Sequence, residues 1–174
     1  MKKLVSALAM SLALVPMAQA KSIAGVDIPD QLNLAGADLT LNGAGIRTKF
    51  MMDIYVGGLY LPAANKDAAA VVSADQPMAI RLHMVSGMIT SDKMKDATNE
   101  GFQNSLNGNT APLKSQIDAF ISVFDAEIKK GDVFDLVYVP GKGVEVLKNG
   151  QAASTIDGGL EFKKALFGIW LSDK

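Results

Sequence analysis

Leu41-Asn42-Gly43-Ala44-Gly45-Ile46-Arg47-Thr48-Lys49-Phe50-Met51-Met52-Asp53-Ile54-Tyr55-Val56-Gly57-Gly58-Leu59-Tyr60-Leu61 is the stretch on which the reading of this chain turns. A glycine-rich turn, Gly43-Ala44-Gly45, delivers an arginine to the head of a strand over residues 50–61. That strand is apolar almost throughout, as expected of one buried in the middle of a sheet. With extended backbone from Arg47 onward, alternation puts residues 47, 49, 51, 53, 55, 57 and 59 on one face. Arg47 and Tyr55 then share that face, while Phe50, Met52, Ile54 and Val56 point to the core. Gly57 and Gly58 remove bulk in mid-strand, which marks a bulge or a close approach to the backbone.

Arg47 and Tyr55 are the candidate ligand-binding residues. A guanidinium offers a planar fork of donors that matches a carboxylate, and it stays charged when desolvated. A phenol alongside adds a hydrogen bond. The remaining affinity for an apolar ligand comes from contact, at ~25 cal/mol per Å² buried. The same two residues also read as scaffold, with Arg47 paired to Asp53 or another acid and Tyr55 a core aromatic. Spacing alone leaves both readings open.

Outward from this stretch, residues 22–28 read as an opening strand ended by Pro29-Asp30, and 32–41 as an extended segment broken at Ala35-Gly36. Residues 66–74 form a short helix and 78–85 a strand. A helix capped by Ser91 runs to about Asn107. The next opens at Pro112, carries Leu113, Ile117, Phe120, Ile121, Phe124 and Ile128 at helical spacing, and stops at Lys129-Lys130-Gly131. Strands at 132–140, 143–148 and 151–156 follow, the last two joined by Asn149-Gly150. Asp157 caps a final helix, 158–172, with Leu160, Ala165, Leu166, Ile169 and Trp170 on its apolar face. Strands first and last with helices grouped between predict an α+β fold: an open, mostly antiparallel sheet with helices layered on one face.

Lys2 and Lys3, an apolar run over 4–16 and Ala18-Gln19-Ala20 read as a signal peptide with its cleavage site. The expectation is removal of residues 1–20, a single domain over 21–174 and a periplasmic address. The apolar run is short for a bilayer, and the mature chain has no transmembrane segment. Removing Lys2 and Lys3 takes the formal net charge from −1 to −3. Nucleic-acid binding needs a clustered basic face and is not expected. The chain has no cysteine, which excludes thiol catalysis and cysteine-based metal sites; with one histidine and no ligand spacing among the acidic residues no metal site follows, and no cofactor is expected. The Gly43-Ala44-Gly45 turn lacks the lysine-serine pair and spacing of a phosphate loop. His83, beside Arg81, reads as a surface or satisfied histidine. Met51, Met52, Met78, Met84, Met88 and Met94 read as core filler or as a compliant cavity lining. Lys93-Met94-Lys95-Asp96 and Lys129-Lys130 read as solvated helix faces.

Gly43-Ala44-Gly45-Ile46-Arg47, followed by a strand ending in Gly58-Leu59-Tyr60-Leu61, resembles the core signature of the chalcone-isomerase-like family. The resemblance covers most of the chain after the signal and reappears weakly over 80–85. It implies a ligand cleft between sheet and helices. The family's plant enzymes cyclise chalcones, and its plastid members resemble non-catalytic fatty-acid binders that hold the carboxylate with an arginine and a tyrosine. The arginine falls on Arg47 and the tyrosine on or near Tyr55. The catalytic enzymes carry threonine where Tyr55 stands, a tyrosine near Thr90-Ser91 and an asparagine near 95–97. Those residues are absent at those places here, and Asn99 is out of register. The resemblance therefore implies a non-catalytic binder of an apolar carboxylate, such as a fatty acid. Two alternatives stay open: an isomerase or lyase acting on a substrate with an acidic oxygen, and an envelope protein that works through a protein partner. The sequence does not fix the oligomeric state.

Overall fold

The computed structural model describes residues 21–49 and 51–172; the expected signal peptide and Phe50 lie outside them. Two-residue turns set the register of the early and late strands. Ala24-Gly25, Ala35-Gly36 and Asn149-Gly150 all have positive φ at both positions, the geometry whose twist matches that of paired strands. They close the hairpins β1 (Lys21–Ile23) with β2 (Val26–Ile28), β3 (Gln31–Leu34) with β4 (Ala37–Lys49), and β8 (Gly143–Lys148) with β9 (Gln151–Ile156). The expected opening strand over 22–28 is thus a hairpin.

Among the described residues, β3 to β9 form one seven-stranded sheet in sequence order, every pair antiparallel. It includes β5 (Met52–Leu61), β6 (Met78–Met84) and β7 (Val133–Val139), while β1 and β2 form a separate two-stranded sheet among the described residues. Helices α1 (Ala68–Ser73), α2 (Ser91–Ser105), α3 (Lys114–Ile121) and α4 (Gly159–Leu171) complete the fold. The expected α+β layering is present. The third helix is shorter than its apolar spacing predicts: 3-10 turns flank it at 111–113 and 122–124, and Ile128 is buried from a loop. Thr90, not Ser91, caps α2, its hydroxyl accepting from Lys93 N–H. At α4 the cap position is Gly158, with no side-chain bond, so Asp157 does not serve.

The sheet has two unlike faces. Towards the helices, β6 and β7 send Met78, Ile80, Leu82, Phe134 and Leu136 into a core with six phenylalanines, five of them in ring contacts with centroids 5.3–6.2 Å apart. The opposite face carries a smaller cluster of Leu39, Val56, Tyr60, Ala79 and Val137, packed with Val26 and Ile28 of the β1–β2 hairpin. There Arg81 is held in a two-pronged bond to buried Asp135, at 2.6 and 2.9 Å.

One lysine is fully buried among these elements. Lys163 of α4 donates to the carbonyls of Val71, Val72 and Ala74 at 2.7–2.8 Å. These acceptors include orphan carbonyls at the end of α1, so the ammonium caps one helix from another. Its three hydrogens match three acceptors. Burial nevertheless pulls its pKa down to about 8, against the opposing charge of Asp75.

Candidate functional site

The expected turn at Gly43-Ala44-Gly45 is strand: all three residues lie inside β4. The chain reverses instead between Lys49 and Met52, which are paired across the hairpin. Arg47 and Tyr55 therefore do not share a face by alternation along one strand. They share it because they are direct partners on adjacent antiparallel strands, where side chains of an opposed pair stand on the same side.

Two bulges aim them. Between Leu41 and Gly43 the register shifts, leaving Asn42 without an opposite number on β5. An extra residue exchanges the faces of everything beyond it. Leu39 and Leu41 accordingly join the small cluster, while Arg47 comes round to line hollows on the helix side. Asn42 is pinned by reciprocal bonds with Asn65, its amide donating to the Asn65 carbonyl at 2.9 Å and its oxygen accepting from Asn65 N–H at 2.8 Å. A second shift between Arg47 and Thr48 leaves Ile54 unopposed. Ile54 is thereby freed from the expected core face and lines the helix-side cleft next to Tyr55.

That cleft, about 330 Å³, opens between the β4–β5 hairpin, α2 and α4. Its apolar lining includes Ile54, Ile89, Ala97 and Ile169, with Met88 and Met94 as flexible fillers. The methionines thus divide. Met52, Met88 and Met94 line the cleft, Met78 and Met84 are fully buried core, and Met51 stands 99% exposed at the hairpin tip.

At the cleft mouth Arg47 is exposed rather than desolvated, and it has no ion-pair partner among the described residues. The alternative pairing with Asp53 does not occur: Asp53 instead accepts from the Thr48 hydroxyl at 3.0 Å. Tyr55 is half-buried, and its oxygen accepts a hydrogen bond from the Trp170 indole at 2.9 Å. A phenol that accepts from one neighbour keeps its own hydrogen for another. Burial pushes the Tyr55 hydroxyl above the usual phenol value, although Trp170 and the Arg47 charge both pull it down. The proton stays on at neutral pH, and Tyr55 is a donor.

Trp170 was visible in the sequence only as part of an apolar helix face. Its signal was chemical: a packed indole N–H needs an acceptor, and Tyr55 supplies it. Lys163 also had a signal, lying at helical spacing between Leu160 and Phe167 on an otherwise apolar stripe. His83 is on the opposite face from the cleft, paired across strands with Val56 and Val133. Burial and nearby Arg81 hold its pKa below the ordinary histidine value. No group of acidic, histidine or cysteine residues among those described is placed to hold a metal ion. No helix among them is long and apolar enough to cross a membrane.

Against known structures, the chain is similar to the crystal structure of a fatty-acid-binding protein of Arabidopsis thaliana. The TM-score is 0.67 and the identity 19%, with 86% of each chain covered. At that identity the likeness establishes the fold. No curated protein matches the chain in sequence. The model of the chalcone isomerase-like family matches residues 20–174. With nearly all of the chain matched, and the same fold found in that neighbour, this protein belongs to the chalcone isomerase-like family.

Proposed function

We propose that this protein is a non-catalytic binder of an apolar carboxylate, such as a fatty acid, exported to the periplasm. One observation carries the reading: an arginine with no ion pair among the described residues stands opposite a tyrosine whose own hydrogen bonds to nothing among them, at the mouth of a cleft with a mainly apolar lining. An arriving carboxylate would accept from both, while its hydrocarbon displaces water from Ile54, Ile89 and Ile169. Exposure of Arg47 suits this role, because it leaves the guanidinium hydrated and within reach of a solute at the cleft mouth. A fatty-acid-binding neighbour of the same fold supports the ligand class. Export is supported by the basic start, the short apolar run and Ala18-Gln19-Ala20 in the sequence.

Native mass spectrometry with lipid extraction, on protein recovered from the periplasm, tests the reading. Retained fatty acid that is lost in Arg47→Ala is the expected result. Protein that carries no acid, and takes none up on incubation, would overturn it.

A further inference from the structure

The glycines of the β4–β5 hairpin are of two kinds. Gly58 sits in close packing, since a Cβ there would stand 3.0 Å from the Tyr60 ring and would press on that fully buried side chain. Gly43, Gly45 and Gly57, on the helix side, answer to no such need. None of the three has positive φ. A Cβ at Gly43 or Gly45 would meet nothing within 4 Å, and one at Gly57 would meet only ordinary contacts from 3.8 Å outward. Glycine weakens a strand relative to alanine, and neither backbone nor packing compensates here. What the three residues do is keep space open. They floor a second hollow of about 400 Å³, walled by Leu59, Ile80 and Leu171. It lies beside the first cleft and shares Arg47, Tyr55 and Trp170 with it. The anion-binding pair therefore belongs to both hollows.

The geometry points to a two-armed ligand, an acid carried at a branch point. Its head sits on Arg47 and Tyr55, one hydrocarbon arm fills the methionine-lined cleft, and the other lies along the glycine floor. This rests on the carboxylate-binding reading above and narrows it. A straight-chain acid, with its carboxylate at one end, fills one hollow and leaves the other to water. A branched acid buries apolar surface in both.

Two isomeric acids of equal apolar content, 2-hexyldecanoic acid and hexadecanoic acid, separate these cases by titration calorimetry. The wild-type protein should bind the branched isomer at least tenfold more tightly. Gly45→Leu, and independently Gly43→Leu, should fill the second hollow and reduce the branched acid to the affinity of the straight one, whose own binding stays unchanged. Gly45→Val is a smaller filler should either leucine disturb folding, which the melting temperature reports. Equal binding of the isomers by the wild type, or a branched preference that survives the fillers, overturns the two-armed ligand and leaves carboxylate binding standing. Binding of neither acid, or binding indifferent to Arg47→Ala, overturns both.

Discussion

The helix-facing side of the sheet is built in two ways along its width. Over β6 and β7 it is filled by large side chains, with Leu82, Phe134 and Leu136 fully buried against Phe102 and Phe124. Over β4 and β5 the same face carries Gly43, Gly45 and Gly57, and the helices stand off to leave two hollows. The two arginines repeat the contrast. Arg81 is locked to Asp135 on the face away from the helices, whereas Arg47 forms no ion pair among the described residues, although Asp96 and Glu100 line the same cleft. The Arg81 charge is already matched within the fold; an unpaired charge beside apolar space is suited to a ligand. One half of the sheet holds the fold together and the other half is kept available.

Substitutions should break along the same line. In the filled half, Phe102→Ala removes a fully buried ring that touches Phe120 and Phe162. It should cost about 3–5 kcal/mol in denaturant unfolding. Lys163→Met should cost roughly 3 kcal/mol, because the end of α1 loses its cap and buried carbonyls lose their donor. The loss should also depend on pH. Lys163 titrates near 8 in the folded protein against an ordinary value of 10.5, so between those values the unfolded chain holds the extra proton. Wild-type stability then rises with pH from about 8, and Lys163→Met should flatten that rise. Tyr138, pushed up to about 12 by burial and by its bond to Asp75, works the other way above pH 10. The comparison is therefore cleanest from pH 8 to 10, read as melting temperature. In the open half the sign changes. Gly45→Ala meets no neighbour and should stabilise the fold by about 0.5–1 kcal/mol. Arg47→Ala should shift stability by less than about 0.5 kcal/mol, since no ion pair is lost.

Much of this was legible in the sequence because the relevant signals are local. Asn149-Gly150 announces its hairpin, Ala35-Gly36 shows as a break in an extended segment that proves to be a hairpin, and the apolar stripe from Ile117 to Phe124 announces a helix. Arg47 and Tyr55 were also singled out correctly as sharing a face, but for the wrong geometric reason. Strand periodicity runs through the reversal between Lys49 and Met52 without registering it, because the intervening sequence is as apolar as the strand. Met51 nonetheless adopts a φ of 60°, a position where asparagine or glycine is usual. The bulge at Asn42 was hidden for another reason: its partner, Asn65, is distant in sequence, and only the folded loop brings the two amides together. The exposure of Arg47 was likewise set by tertiary placement, on a stretch of β4 that pairs with β5 on one side but lies beyond the residues paired with β3 on the other. Trp170 and Tyr55 meet across 115 residues of chain, which no spacing rule anticipates.

The most direct test of the anion site is the affinity of hexadecanoic acid for the wild type and for Arg47→Ala, measured side by side with the melting temperature of each. A charge-assisted hydrogen bond contributes about 1.5–3 kcal/mol, so the variant should bind at least tenfold more weakly while melting with the wild type. Undiminished binding by a folded Arg47→Ala protein would contradict the account.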